Sequence, residues 1–364
     1  MKRRVFLKGA ATASAAAAAS TFAAPAIAQD RHEWRMALTW PKDTPGLGLI
    51  AQNVARRMET FTDGRIKIKV YGAGELMPAF QVFDATSAGD IEMYQGVEYY
   101  WQGKHSGFNF FTTVPYGFTP QEHFAWLLYG GGQELWDELS ADFNVKGFLG
   151  PSTGTQMMGW FNKELNSLDD FRGLRYRVPG VMGELYRRLG AAIVNIPVGE
   201  IFQAMQSGTV DAVEWVGPWA DTIFGLNRVA KYYYYPGVHE PGTAGSFGIN
   251  KGVWDKLSKA DQELLTTCIQ AEVYLGTSEY KARNPAALEK IKADPKIEIR
   301  RLSDGILTEI GNQAGELLAE IGNQNDINKR IYESFLAYRK GQIEWTDMSE
   351  FAFLQARALP YKYG

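Results

Sequence analysis

Trp34, Met36 and Leu38 alternate with polar neighbours, the period of a half-buried strand. Helical spacing follows, with Leu49, Val54, Met58 and Phe61 predicting a helix over residues 47–61, and an Asp63-Gly64 turn leads into a second strand carrying Ile66, Ile68 and Val70. Such a unit should be a right-handed crossover between parallel strands. The pattern returns downstream as a strand at Leu174–Val178, a helix at Val181–Leu189 and a strand at Ala192–Val194, extended by a helix at Val198–Gln206 and a strand at Val210–Trp215. Two α/β units in separate parts of the chain predict two lobes with a cleft between them. From Ser258 onward the patterns are long and helical with few strand signals, opening on a capping-box-like Ser258-Lys259-Ala260-Asp261. There Ile310, Ala314, Leu317, Leu318 and Ile321 form an apolar stripe, suited to packing on its own domain or against a partner chain.

Composition narrows the class. With 364 residues, 45% apolar and 22% charged, the chain can build two ordinary domains, which excludes disordered, collagen-like and disulfide-scaffold readings. Cys268 is the one thiol, so neither an intrachain disulfide nor a thiolate zinc site is possible. His32, His105, His123 and His239 are scattered, which leaves oxygen donors as the expected home for any metal. A balance of 38 basic against 41 acidic residues, formally -3, gives no footprint for nucleic acid or an anionic membrane.

The N-terminus changes that balance. Arg3-Arg4 followed by Phe6-Leu7-Lys8, a mild alanine-rich run and the small-residue site Ala26-Ile27-Ala28 read as an export signal over residues 1–28, of the twin-arginine type with a plain Sec signal as the alternative. The run is too weakly apolar to anchor in a bilayer. Its removal takes away Lys2, Arg3, Arg4 and Lys8, leaving 34 basic against 41 acidic, or -7.

Catalytic patterns are formal only. Gly150-Pro151-Ser152-Thr153-Gly154 fits G-x-S-x-G, but Pro151 removes an N–H where a nucleophile elbow turns. Gly130-Gly131-Gly132 lacks the lysine of a phosphate loop and reads as a helix stop, and His239-Glu240 has no second histidine at zincin spacing. More telling are polar groups in apolar runs: Gln156 in an uncharged segment, Glu214 near Trp215 and Trp219, and Arg177, which strand alternation places with Arg175 opposite Leu174, Tyr176 and Val178.

Several stretches in order carry a resemblance: the twin-arginine leader, Gly173-Leu174-Arg175-Tyr176-Arg177-Val178-Pro179, Ala204-Met205-Gln206-Ser207-Gly208-Thr209-Val210-Asp211-Ala212 and Gly248-Ile249-Asn250-Lys251. The chain resembles the extracytoplasmic solute receptors of tripartite ATP-independent periplasmic (TRAP) transporters. Gly154–Met157, Glu214–Pro218 and Tyr232–Gly237 with Glu240 are similar to the branch that binds 2-oxo acids and hydroxy acids with a metal ion.

The resemblance implies an α/β, two-lobe periplasmic-binding-protein fold with an interlobe cleft and a long C-terminal helical region. On that reading residues 29–152 form lobe 1, with part of 242–285 returning to it, residues 153–241 form lobe 2, and residues 286–364 are mostly helical with a possible dimerisation helix. It implies a periplasmic receptor, not an enzyme, that delivers a small monocarboxylate to a TRAP-type membrane permease. Gln156, Arg177 and Trp215 would bind the substrate; Gln156, Glu214, the backbone of Trp215 and Glu240 would bind sodium or calcium. A bidentate guanidinium suits a carboxylate, and a bridging hard cation would relieve its repulsion from Glu214. Trp215, Trp219, Tyr99, Tyr100 and Trp101 are candidate cleft walls. A homodimer through the C-terminal helix, as in some members, is a further expectation. The alternatives are a metal-independent sugar- or peptide-type binding protein and an exported hydrolase using Glu214 and Glu240 as acid and base.

Overall fold

The computed structural model describes residues 31–363; the export-signal reading falls on residues 1–28, outside the described residues. In the first lobe β1 (His32–Leu38), α1 (Leu47–Phe61), β2 (Ile66–Tyr71), β3 (Met93–Gly96), α2 (Pro120–Tyr129), α3 (Gly132–Ala141) and β4 (Val145–Gly154) follow one another. The second lobe takes β5 (Gly159–Phe161), β6 (Arg175–Arg177), α4 (Gly180–Arg188), β7 (Ala192–Val194), α5 (Val198–Gln206), β8 (Ala212–Val213), α6 (Pro218–Ile223) and β9 (Tyr232–Tyr235). The chain then returns through β10 (Thr243–Asn250) and α7 (Lys259–Lys292) to β11 (Glu298–Arg301), α8 (Asp304–Gly322) and α9 (Asp326–Thr346).

The sheets are mixed, with orders β2-β1-β3-β10-β4 and β11-β9-β5-β8-β6-β7. Both strand–helix–strand units predicted from periodicity are present, with β1 parallel to β2 and β6 parallel to β7. Leu174, Tyr176 and Val178 are all buried, as alternation requires. Ser152 lies inside β4, its hydroxyl accepting from the Gly154 N–H at 3.1 Å, so the formal G-x-S-x-G is a strand and not an elbow. Gly130-Gly131-Gly132 separates α2 from α3.

Two connections carry the chain between sheets, residues 154–158 outward and 236–242 back. They run side by side: Gln156 N–H donates to the Glu240 carbonyl at 3.2 Å, Gly237 N–H to the Gln156 carbonyl at 3.1 Å, and the Thr155 hydroxyl to the Pro241 carbonyl at 2.8 Å. Glycine is needed at 237, since a Cβ there would stand 2.4 Å from the Gln156 carbonyl oxygen. α7 is a third link, its N-terminus capped by Ser258, which accepts from the Asp261 N–H at 3.1 Å. At 34 residues it is about 50 Å long. It packs on α1 and β4 in one lobe and on α6 in the other, where Asn284 accepts from the Trp219 N–H at 3.0 Å and Tyr280 meets the Trp219 ring edge-on.

Three expectations change. The strand read over Val210–Trp215 shortens to β8, although the Asp211 and Glu214 N–H groups still bond the Arg175 and Arg177 carbonyls at 2.8 and 2.9 Å. The C-terminal third contributes β11, parallel to β9, which charged Glu298, Arg300 and Arg301 conceal in the sequence. Finally, the stripe of Ile310, Ala314, Leu317, Leu318 and Ile321 is buried in this chain's own core, where α8 packs on α4 and α9. It is therefore not a dimer surface. The exposed apolar residues lie further on, with Ile343, Trp345, Met348, Phe351, Phe353, Leu354, Leu359, Tyr361 and Tyr363 open to solvent. Among the described residues no helix is long and apolar enough to cross a membrane.

Glu98 tests the electrostatics of the first lobe. It is fully buried, accepts from the Tyr94 hydroxyl at 2.6 Å and opens the short turn that carries Tyr99 and Tyr100. Loss of hydration raises its carboxyl to about 7. Because this exceeds the ordinary carboxyl value, the folded chain holds the proton more tightly; the stabilisation is complete below that ordinary value and is lost as pH rises through about 7. Glu98→Gln should therefore stabilise the protein more at pH 8 than at pH 5, by roughly 2 kcal/mol on this scale. Thermal melts of both proteins at the two pH values check this; an equal effect at both would contradict it.

Candidate functional site

The site forms where the parallel strands of the second sheet end and the two crossing segments pass. β6 and β8 are neighbours, with Arg177 opposite Val213, so the next residue along β8, Glu214, comes to the Arg177 side chain. Arg177 is fully buried. Its Nη1 donates to the Glu214 carbonyl at 2.6 Å and to Glu214 Oε2 at 3.3 Å, and its Nε to the Ile196 carbonyl at 3.3 Å. Its Nη2 has no partner among the described residues. The guanidinium also stands 5.7 Å from the Trp215 ring, a cation–π distance.

The crossing segments bring the rest. Gln156 donates through Nε2 to the Thr153 hydroxyl at 2.9 Å, while its Oε1 is buried without a partner among the described residues. Glu240 accepts from the Thr243 hydroxyl at 2.5 Å. Glu214, His239 and Glu240 each present one donor atom such that all three atoms lie within 4.8 Å of one another. The sequence reading leaves the histidines scattered; the fold brings the His239 ring beside these carboxylates, Nε2 3.6 Å from Glu214 Oε1. The reason is the hinge, which lays residues 236–242 across the end of β8, a proximity no local spacing encodes.

Burial dominates the electrostatics. Glu214 and Glu240 are both pushed up to about 8, chiefly by loss of hydration, with Glu240 raised further by the nearby Glu214. His239 is pushed down to about 4 for the same reason. Two carboxyls with poor hydration beside an amide oxygen and an imidazole nitrogen are a donor set that a cation completes.

A pocket opens beside these groups, lined by Trp40, Leu47, Val97, Tyr99, Tyr100, Thr153, Gln156, Trp215, Val216, Thr243 and Gly245. Tyr99 and Tyr100 line it from the first lobe, and burial pushes the Tyr100 hydroxyl up to about 12. Of the other aromatic candidates, Trp215 lines the pocket, whereas Trp101 stacks on Phe83 inside the first lobe and Trp219 packs against Tyr280. Trp40 was missed because its alternation with Leu38 reads as ordinary core.

Residues 36–325 match the family model of the bacterial extracellular solute-binding proteins, family 7. The chain belongs to that family. Its relatives include a monocarboxylate 2-oxoacid-binding periplasmic protein of Nostoc sp., 38% identical over 88% of this chain and 87% of that one. A TRAP periplasmic solute-binding protein of Pseudoalteromonas atlantica, with bound sodium and pyruvate, superposes with a TM-score of 0.87 at 34% identity, covering 92% of this chain and 100% of the other. One from Bordetella bronchiseptica, a mixed-occupancy dimer with calcium and picolinate in its active site, gives a TM-score of 0.88 at 30% identity over 90% and 97% of the two chains. Membership makes this chain a periplasmic solute-binding receptor with the two-lobe fold.

Asp221 holds the site of this family 7 receptor in shape. Its Oδ1 accepts from the Val216 and Gly217 N–H groups at 3.1 and 3.0 Å, and its Oδ2 from Trp160 Nε1 at 2.9 Å and the Tyr233 hydroxyl at 2.7 Å. The backbone after Glu214-Trp215 is thereby pinned to a stacked Trp160–Tyr233 pair with ring centres 3.9 Å apart. In the sequence Asp221 looks like a helix surface acid. Asp221→Asn would turn an amide N–H₂ toward donors on one side of this buried group. It should cost about 2–4 kcal/mol of stability and weaken ligand binding, both measurable by thermal melts and titration calorimetry. Unchanged values would remove its positioning role.

Proposed function

We propose that this chain captures a small 2-oxo or 2-hydroxy monocarboxylate, of the size of pyruvate or lactate, together with a metal cation, and hands it to a TRAP-type membrane permease. The observation that carries this reading is Arg177: a fully buried guanidinium with one edge held by the Glu214 carbonyl and carboxylate, and Nη2 left for a ligand. A charge is kept out of water in this way at a cost, which a bound carboxylate offsets through charge-assisted hydrogen bonds. Gln156 and Trp215 are the other substrate contacts, and Gln156, Glu214, Trp215 and Glu240 hold the cation. Sodium accompanies pyruvate in the P. atlantica protein, and calcium accompanies the carboxylate picolinate in the B. bronchiseptica protein. The carboxylates and the amide of this site fit a hard ion; when bound, the ion neutralises repulsion between Glu214, Glu240 and the substrate. The receptor returns its ligand unchanged, and it reaches the periplasm by the twin-arginine route.

A second copy of this chain is the proposed cover for the exposed apolar residues between Ile343 and Tyr363. Nine exposed large apolar residues within one short C-terminal stretch favour a partner, and a dimer is recorded for the B. bronchiseptica protein.

Pyruvate at about a hundred times its dissociation constant should stabilise the chain by roughly 2.7 kcal/mol in a thermal melt, and less after chelation and exchange of sodium for choline. No response to any small carboxylate would overturn the receptor reading. Arg177→Lys should weaken pyruvate binding about tenfold or more, because an ammonium lacks the planar fork; retained affinity moves the carboxylate elsewhere. Light scattering should give twice the monomer mass, and truncation after Thr346 should give the monomer.

A further inference from the structure

His239 lies beside the proposed cation donors and has no role in the reading above. We propose that it is a positioning residue: its Nε2–H donates to Glu214 Oε1, which keeps that oxygen turned toward the cation and away from Arg177. The inference rests on the receptor reading, since it concerns the same site.

His239 is fully buried, and neither ring nitrogen has a hydrogen-bond partner among the described residues. A neutral imidazole carries one N–H, and a buried donor is normally satisfied. Sodium and calcium take oxygen donors, so the ring does not ligate such an ion and its N–H needs an acceptor from the protein. Glu214 Oε1 supplies one: it too is buried and without a partner, 3.6 Å from His239 Nε2. That separation exceeds a hydrogen bond, and a movement of about 0.7 Å closes it. The movement belongs to Glu214, whose carboxylate ends a flexible side chain. The backbone around the ring is fixed, with the Gly237 N–H on the Gln156 carbonyl at 3.1 Å, the Tyr116 N–H on the Val238 carbonyl at 2.8 Å and the Gln156 N–H on the Glu240 carbonyl at 3.2 Å.

This hydrogen bond decides where the Glu214 charge points. Arg177 reaches Glu214 Oε2 at 3.3 Å, and its Nη2 is buried without a partner among the described residues. Guanidinium–carboxylate pairs favour two parallel bonds, so an unrestrained Glu214 would turn Oε1 onto the guanidinium as well. That turn would fill the edge a substrate carboxylate needs and take an oxygen from the cation. A second donor at Oε1 opposes it. His239 thus keeps both the anion half and the cation half of the site open without touching either ligand.

The test titrates pyruvate, with calcium(II) and separately with sodium, into the wild type and two variants by calorimetry. His239→Phe keeps a planar ring but has no donor. It should weaken pyruvate and cation binding together, about tenfold or more, as loss of a hydrogen-bonding partner behind a metal ligand does. His239→Gln places an amide N–H near the position of the imidazole Nε2 and should restore most of that affinity. Nitrogen-15 spectra of the loaded wild type should show the His239 ring protonated at Nε2, a readout that does not depend on either variant folding. Unchanged affinity in His239→Phe, equal loss in both variants, or a bare Nε2 overturns the proposal, while pyruvate binding by the wild type leaves the receptor reading standing. A wild type that binds neither cation nor pyruvate overturns both.

Discussion

The constraint on which this molecule turns is a guanidinium kept entirely out of water. Arg177 is tolerable there because Glu214 answers it twice, through its carbonyl and its carboxylate, from the adjacent strand. The pairing is geometric as much as electrostatic: parallel β6 and β8 place the two residues side by side at their strand ends. Removing one partner would leave an uncompensated buried charge, which costs several kcal/mol. The strand order of the second sheet, the fixed loop after Trp215 and the Asp221 anchor beneath it all serve to keep this one pair aligned.

The same pairing leaves an imbalance that the site uses. Glu214 gives its Oε2 to Arg177, but its Oε1 faces His239 and the neighbouring Glu240 without a partner among the described residues. One guanidinium cannot neutralise two carboxylates and a carboxylate ligand. The cleft is thus short of positive charge and short of hydrogen-bond donors on one side, which is the physical case for a cation regardless of which ion it is. Aromatic walls from Trp40, Tyr99, Tyr100 and Trp215 raise the stakes by excluding water.

Much of the fold was legible in the chain, because amphipathic periodicity is a local property. α1, β2, α5 and the capped start of α7 follow directly from where Val54, Ile66, Ile201 and Ser258 fall. What escaped is what depends on contacts across the lobes. β11 hides behind alternating charges and is a strand only because β9 lies beside it. His239 is an unremarkable residue after a glycine-valine pair until the return connection lays it over Glu214. The apolar stripe of α8 was readable as a stripe, but its partner was not, since one face fits an intramolecular core and a second chain equally well. Arg177, Glu214 and Gln156 could be singled out as polar groups in apolar runs, whereas their convergence is a property of the fold.

Their placement also couples binding to shape. Arg177 and Glu214 belong to the second lobe, Tyr99 and Tyr100 to the first, and Gln156 and Glu240 to the two segments that join them. On the proposed reading, a ligand held between these groups would contact both lobes only when they are together, and so would favour that arrangement. The crossing segments are hydrogen-bonded to each other through Gln156, Gly237 and Glu240. If Arg177 takes the ligand's carboxylate as proposed, a ligand lacking one would leave Nη2 buried and unpaired, at the cost of an unmade hydrogen bond. On the proposed reading, discrimination among solutes would follow from the same buried guanidinium that organises the second sheet, since only a carboxylate completes its charge.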